Sequence, residues 1–411
     1  MLKTGFGKAE ITPPMGAELA GYGYYLERRA ERVDDPTYAR ALAFRQNEET
    51  FLLISCDILG LNARIAADVR AAMKASYGID PANVILVSIH THSAAPAIYH
   101  EGCGAVTPEY VSTLAPAIIR ACEQAVADLT EVTKLSFSAC DIGGDYAYNR
   151  ACADGPVDKI VRSFLIERKG AESIALFSYA CHAVCNGKTT GVSADYPGHA
   201  CRLMQEKTGA IPMFINGLCG DIDPVPCEDA RRQANRARFA EAIVSASLAE
   251  KTELPASITG GCLADELKLT PVTIDSIHAY ADRQAHSDHM IAGGDIVARI
   301  WEKEMIARFD TLSDREPISI HYLKLGGVPI AAFPFEGFTA IGDFIRGETG
   351  DPRAVTLGCA DQLLGYLPSL SDIERGSYAS WESVFLYKRL PIVPGEAERL
   401  GTEIGRRLKE L

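Results

Sequence analysis

The chain has 411 residues, which is too long for one minimal hydrophobic core and suggests two lobes or one large domain with excursions. Its hydrophobic fraction of 47% and charged fraction of 23% are ordinary for a folded globular protein, which argues against disorder. The formal net charge of −13 repels phosphate groups and disfavours nucleic-acid binding and stable attachment to anionic membranes.

Apolar runs alternate with helical patterns along most of the chain, which is typical of an α/β protein. The predicted strands cover residues 50–56, 83–89, 134–138, 160–166, 173–179 and 212–216, with a hairpin formed by 318–325 and 328–334. The predicted helices cover residues 61–76, 109–129, 196–208 and 227–250. We therefore expect mixed β-sheets flanked by helices.

Residues 275–308 have a long polar helical pattern, which is interrupted at Gly293-Gly294. Since polar residues dominate this pattern, it predicts a solvated helix that is polar on every face. The region around 275–312 is a candidate insertion, lid or oligomer contact. It also carries a rival candidate metal cluster with helical spacing, namely His278, Asp282, His286 and His289. A solvated helix would not hold a rigid set of ligands, so we favour a surface role for this cluster.

Polar residues that can carry chemistry stand where apolar strands end. These residues are His90, His182, Asp221 and Glu336. In open α/β sheets, ligands bind beyond the carboxyl ends of the strands. The sequence therefore predicts one shared site at the strand ends, built from four separate segments.

The two histidines of an H-x-H pair, His90 and His92, directly follow the predicted strand 83–89. In a strand-like conformation alternate residues share one face, so both imidazoles would reach the same space. His182 has the same position after the strand 173–179 and would complete a metal shell. The alternative for each residue is a hydrogen-bonded histidine at the end of a strand.

Glu336 follows the apolar sequence AAFPF, and burial of an unpaired carboxylate there would be costly without a metal or another cation. The alternative is a carboxylate at a helix N-terminus, because the sequence from Gly337 onward looks helical. The sequence has no G-x-S-x-G elbow and no H-E-x-x-H helix, which argues against a serine hydrolase of the α/β type and against a zincin peptidase.

Seven short blocks occur in order over nearly the whole chain: GKAEITPP at 7–14 with Gly21-Tyr22, DPTYARA at 35–41, HTHS at 90–93, NR at 149–150, NGLCGDIDP at 216–224, PFEG at 334–337 and LGYLP at 364–368. Together these blocks resemble the neutral/alkaline non-lysosomal ceramidase family, specifically its N-terminal catalytic domain. Two positions depart from the family pattern, because Glu10 replaces an aspartate and Asp223 replaces a serine.

The resemblance implies one zinc ion per chain, held by His90, His182, Glu336 and Tyr366. It also implies three catalytic residues around a metal-bound water and the substrate carbonyl, namely His92, Arg150 and Tyr378. In this arrangement His92 would shuttle the proton, while the other two would stabilise the developing oxyanion. The candidates for substrate contact or for support of the ligands are Asp195, Asn216, Asp221 and Asp223.

We predict a zinc-dependent hydrolase that cleaves a linear amide C–N bond of a small soluble substrate. Two alternatives remain: an ester or lactone hydrolase with the same site, and a binding protein that has lost its activity, for which Asp223 in place of serine is the supporting feature. Nitrogen and oxygen ligands also suit iron or manganese.

The expected organisation is a single ceramidase-like catalytic domain over residues 1–411, without the C-terminal immunoglobulin-like domain of full ceramidases. The N-terminus lacks the apolar region of a signal peptide, and no stretch reaches the ~20 apolar residues that span a bilayer. We therefore expect a cytoplasmic protein. Its twelve thinly spread cysteines fit reduced, mostly buried thiols.

Overall fold

The computed structural model describes residues 1–287 and 293–411. In these ranges the strands are β1 (Leu2–Glu10), β2 (Arg32–Val33), β3 (Tyr38–Gln46), β4 (Glu49–Cys56), β5 (Val84–Ser88), β6 (Thr130–Asp141), β7 (Ala147–Asn149), β8 (Ile160–Arg168), β9 (Ala171–Tyr179), β10 (Gly191–Val192), β11 (Ile211–Asn216), β12 (Ile222–Pro224), β13 (Thr252–Leu254), β14 (Ile258–Lys268), β15 (Arg315–Leu325), β16 (Val328–Ala332), β17 (Glu336–Gly337), β18 (Val355–Leu357) and β19 (Tyr366–Leu367). The helices are α1 (Ala63–Tyr77), α2 (Pro108–Ala127), α3 (Asp195–Thr208), α4 (Arg232–Ser247), α5 (Ile274–Ala285), α6 (Gly294–Ala307), α7 (Thr339–Thr349), α8 (Leu370–Arg375), α9 (Ser383–Leu386) and α10 (Glu396–Glu410).

Two mixed β-sheets form the centre of the molecule. The larger has the strand order β11-β9-β8-β6-β1-β3-β4-β5, with β13 paired to β6, and the smaller has the order β14-β15-β16-β18. The pairs β4–β5, β9–β11 and β16–β18 are parallel, and the other pairs along these two paths are antiparallel. The prediction of mixed sheets flanked by helices is confirmed.

The sheets and helices stack in four layers. One face of the larger sheet packs against the smaller sheet, and its other face is covered by α1, α2, α3 and α4. The outer face of the smaller sheet is covered by α5, α6, α7 and α10. Each sheet is therefore buried on both faces, which explains why so many strands read as continuous apolar runs.

Strand β3 illustrates how side-chain size selects the layer that packs on each face. Its residues Ala39, Ala41 and Ala43 belong to the core beneath the helices, whereas Leu42 and Phe44 face the second sheet. Small residues on the helix side let α2 lie close to the strands. On the neighbouring strand β1, a side chain at Gly5 or Gly7 would collide with α2. A Cβ at Gly7 would lie 1.9 Å from the carbonyl oxygen of Ala121.

The region 275–308 differs from its prediction. It forms the two helices α5 and α6, which bury Ile277, Val297 and Trp301 in the outer core, so the prediction of a helix that is polar on every face is wrong. Of the rival metal cluster, His278 and its neighbours Asp282 and His286 are exposed, and His289 lies outside the described residues. The apolar positions have helical spacing, but the many charged residues between them concealed it.

Other boundaries moved by a few residues. Helix α4 begins at Arg232 rather than at residue 227, and strand β6 extends well beyond the predicted 134–138. The hairpin of β15 and β16 around Gly326-Gly327 is confirmed. Within the part of the chain that the structure describes, no helix is both long enough and apolar enough to cross a membrane.

Removing one partner of the buried ion pair between Arg40 and Asp57 is expected to destabilise the fold strongly. Arg40 Nη1 lies 2.7 and 2.8 Å from the two Asp57 carboxylate oxygens, and both side chains are almost fully buried. Asp57→Ala would leave the guanidinium buried without its counter-ion. We expect the free energy of unfolding, measured with urea, to fall by about 3–5 kcal/mol.

The matched control is Asp68→Ala, because Asp68 pairs with Arg64 at 3.7 Å on the exposed face of α1. This exposed pair should contribute less than about 1 kcal/mol. Equal losses in the two variants would contradict the prediction.

Candidate metal centre and catalytic cavity

A left-handed turn after β5 presents the first histidine. The φ angle of His90 is 63°, so the segment is not strand-like, and the expectation that strand alternation would align His90 and His92 is wrong. The turn is held by a hydrogen bond from His90 N–H to the Ile58 carbonyl at 3.0 Å and by a contact of 2.8 Å between His90 Nδ1 and the Leu59 carbonyl. A non-glycine residue in this conformation is strained, and such strain is common at functional sites.

The third histidine arrives on a neighbouring loop after β9. Thr91 and Ala183 form a parallel β-bridge, and His92 N–H donates to the Ala183 carbonyl at 3.3 Å. These bonds tie the loop of His90 and His92 to the loop of His182. His182 Nδ1 faces the Ile222 carbonyl at 3.0 Å, which fixes the orientation of its ring.

The three rings converge in the protein interior. One ligand nitrogen from each of His90, His92 and His182 lies within 4.8 Å of the others. Glu336 Oε2 lies 3.1 Å from His90 Nε2 and 3.0 Å from His182 Nε2. Of the four segments predicted to share one site, those of His90, His182 and Glu336 come together here, whereas the Asp221 side chain bonds to Asn149 and Thr339.

The chemistry of these donors fits a divalent cation. A carbonyl oxygen only accepts hydrogen bonds, so the Nδ1 atoms of His90 and His182 that face carbonyls carry the protons. Their Nε2 lone pairs then point toward Glu336, as in metal sites whose outer hydrogen bonds fix the histidine tautomer. Three acceptors facing one another need a positive charge between them.

The electrostatics of the cluster lead to the same requirement. Burial alone would raise the pKa of Glu336, but the adjacent His90 and His182 hold it well below its usual range. Burial, followed by the neighbouring His90 and His182, lowers the pKa of His92 well below its usual value. Burial and the Arg150 charge lower the pKa of His182, yet contacts that include Cys219 and Glu336 raise it to about 10. A proton or a divalent cation supplies the charge that the carboxylate needs.

Glu336 is held by a short parallel pairing rather than by a helix. Strand β17 pairs with β19, so that Glu336 stands opposite Tyr366, while α7 begins only at Thr339. The opposite oxygen of the carboxylate, Oε1, accepts a hydrogen bond from the Tyr387 hydroxyl. Burial keeps the pKa of both tyrosines well above the usual value, so both phenols are neutral.

Arg150 forms one wall of the site. Its Nη2 lies 2.6 Å from the Tyr366 hydroxyl and 3.2 Å from His182 Nε2, and its Nη1 lies 3.2 Å from Asp223 Oδ1. Burial opposes the charge of Arg150, but Asp223 and Tyr366 outweigh it and raise the guanidinium pKa, so the group stays cationic. Asp223 is thus the counter-ion of Arg150.

Three other predicted residues lie behind the site and brace it. Asp195 accepts backbone N–H groups at positions 185 and 186, in the loop after His182. Asn216 donates to the carbonyl of Ile89, directly before His90. Asp221 accepts bonds from Asn149 and Thr339 at 2.9–3.0 Å, and burial raises its pKa to about 6. These contacts hold the loops of the candidate site rather than reach into the cavity.

A cavity of about 210 Å³ opens onto the cluster. It is lined by Gly21, Tyr22, Gly23, Leu59, His90, His92, His100, Cys103, Arg150, Val184, Asp223, Glu336, Tyr366, Tyr378, Leu386 and Tyr387. Gly21 is required by close approach, because a Cβ there would lie 2.2 Å from His92 Nδ1. Tyr378 contributes to the wall beside Tyr366, with their ring centroids 5.8 Å apart.

Sequence reasoning missed several residues of this cavity, among them His100 and Tyr387. Neither directly follows an apolar strand, and neither belongs to a motif with a recognisable spacing. Their positions result from long-range packing, since the His100 and Tyr387 rings meet edge to face with centroids 4.4 Å apart. A local pattern could not have revealed that contact.

The fold and the buried cluster define an α/β protein with a histidine-rich candidate metal centre at the ends of its strands. The chain belongs to the neutral/alkaline non-lysosomal ceramidase family, whose N-terminal domain model matches residues 2–224. Membership of this family implies a hydrolase that acts on an amide bond.

Solved structures share the fold over the whole chain. A neutral ceramidase from Pseudomonas aeruginosa is similar with a TM-score of 0.76 and 14% identity, over 100% of this chain and 74% of that one. A ceramidase complexed with C2 gives a TM-score of 0.77 and 15% identity, over 100% and 75% of the two chains. No curated protein matches the sequence. At these identities the likeness concerns the fold alone.

Proposed function

We propose that the chain is a zinc-dependent hydrolase that cleaves a linear amide C–N bond of a small substrate, with residues 1–411 as one catalytic domain. The observation that carries this proposal is the convergence of His90, His92 and His182 beside the Glu336 carboxylate, within a member of a ceramidase family. The cavity of about 210 Å³ favours a compact substrate over one with two long chains.

The proposed metal ligands are His90, His182, Glu336 and Tyr366. Zinc bound there would acidify a water molecule and polarise the substrate carbonyl. The support for the first three is the approach of Glu336 Oε2 to within 3.1 Å of both histidines. The support for Tyr366 is its place opposite Glu336 in the β17–β19 pairing.

The remaining cavity residues have separate proposed roles. Arg150 offers the N–H donors of a fixed cationic guanidinium beside the cluster. Tyr378 offers a neutral hydroxyl in the same wall. Both groups are suited to stabilise the oxyanion that develops on the substrate carbonyl. His92 lies in the wall with its Nδ1 unpaired among the described residues, and it suits the transfer of a proton to the leaving amine. Asp223 keeps Arg150 in place.

Metal removal tests the proposed function directly. We expect purified protein to contain about one zinc per chain, and a chelator to abolish hydrolysis of short N-acyl amides, with zinc restoring it. Elemental analysis and a panel of amides with matched esters provide the measurements. Turnover of the esters alone would favour the ester hydrolase, and protein that rejects zinc and hydrolyses nothing would favour a binding protein.

A further inference from the structure

A second cavity, of about 460 Å³, lies between the strands β1 and β3 and the helix α3. It shares no lining residue with the cavity that opens onto the three histidines. Two basic side chains line it, Lys8 of β1 and Arg40 of β3, which stand directly opposite each other in the pairing of the two strands. The proposed hydrolysis uses neither of them.

The position of Lys8 is electrostatically unfavourable without a partner. Like charges directly opposite each other on two paired strands repel. Partial burial, and next the charge of Arg40, lowers the pKa of Lys8 below its ordinary value. The Lys8 ammonium lies 3.5 Å from the centroid of the Tyr38 ring, but it forms no hydrogen bond or ion pair within residues 1–287 and 293–411. An anion in the cavity would offset this repulsion.

Arg40 is almost fully buried and has hydrogen-bond donors to spare. Its Nη1 contacts both carboxylate oxygens of Asp57, whereas its Nε and Nη2 form no hydrogen bond in the described part of the chain. A guanidinium has five N–H donors and can bind an oxyanion through two parallel hydrogen bonds. Arg40 can therefore keep Asp57 and still donate to an anion beside Lys8.

The other charged residues of the cavity limit the charge of that anion. Asp35 pairs with Arg236 at 3.5 Å, and the exposed Glu172 and Arg202 have opposite charges. Among the described lining residues, Lys8 is thus the cation left without a counter-ion. An excess of about one positive charge favours a carboxylate over a phosphate monoester, which carries about −1.5 to −2 at neutral pH.

Apolar side chains complete the cavity, namely Phe6, Ile211 and Pro212. We infer that this cavity is a binding site for a small organic carboxylate. The carboxylate group lies between Lys8 and Arg40, and the apolar part of the ligand contacts the three apolar side chains. This site is separate from the proposed metal centre, and its occupation does not require hydrolysis.

The test compares three probes by calorimetric titration of the full chain: benzoate, benzyl alcohol and inorganic phosphate. We expect benzoate to bind at least about tenfold more tightly than benzyl alcohol, because only benzoate offers charged acceptors to Lys8 and Arg40. Phosphate should bind more weakly than benzoate. Lys8→Met keeps an unbranched side chain without the charge and should weaken benzoate binding about tenfold, whereas Lys8→Arg should keep most of the affinity.

The matched control is Lys3→Met, because Lys3 is an exposed lysine of the same strand that stands opposite Arg45, outside the cavity. It should leave benzoate binding unchanged. Benzoate bound at the metal centre would not respond to Lys8→Met, so an unchanged affinity in that variant would overturn the site. Equal affinities for benzoate and benzyl alcohol, or no binding of benzoate, would overturn it too. Tighter binding of phosphate than of benzoate would refute the assignment of a carboxylate.

Discussion

Replacing His182 with alanine is expected to remove the bound metal and the hydrolytic activity together. His182 is fully buried, and its Nε2 lies 3.0 Å from Glu336 Oε2. A metal contributes several kcal/mol of transition-state stabilisation, so kcat/KM should fall by at least about 10³-fold. Zinc content should fall from about one per chain to none.

Two variants make this experiment specific. His278→Ala removes an exposed histidine of α5 that pairs with Glu302 of α6, and it should retain both zinc and activity. His92→Ala distinguishes a proton carrier from a metal ligand at this position. If His92 only carries a proton, the variant should lose activity and keep zinc. If His92 is a ligand, the variant should lose zinc as well. Unchanged zinc in His182→Ala would refute the assigned ligands.

The sequence predicted the strands of this site better than its walls. Burial of each sheet on both faces produces continuous apolar runs, and these runs located β5 and β9 and hence the histidines that follow them. The site residues after β5 and β9 were therefore found from local patterns. How their rings meet was not, because the left-handed turn at His90 depends on bonds to Ile58 and Leu59, whose positions the local sequence does not encode.

The residues contributed by the C-terminal third were harder to predict. Tyr387 follows the four-residue helix α9, which is too short to give a periodic signal. Its hydroxyl contacts Glu336, which lies 51 residues earlier in the chain. The helices α5 and α6 were assigned to solvent because charged residues are interspersed among their apolar ones, although Val297, Trp301 and Met305 are fully buried. In each case a contact between distant segments decided the outcome.

Arg150→Ala is expected to lower activity strongly while the metal remains bound. The guanidinium lies beside the cluster and contacts Tyr366 at 2.6 Å, but arginine carries no lone pair for a metal. Loss of one oxyanion donor typically reduces kcat by about 10²–10³-fold. Elemental analysis of zinc together with kcat on a short N-acyl amide measures the two effects separately.

Arg150→Lys and Arg162→Lys complete the comparison. Lysine keeps the charge at position 150 but cannot contact Tyr366 and Asp223 at once, so it should recover only part of the activity. Arg162 is a buried arginine that pairs with Asp158 at 2.8 Å outside the cavity. Its lysine variant controls for the loss of a buried guanidinium group. If Arg150→Ala released zinc, the guanidinium would have to be holding Tyr366 or His182 in place for the metal. If kcat fell no further than in Arg162→Lys, the oxyanion role would pass to Tyr378.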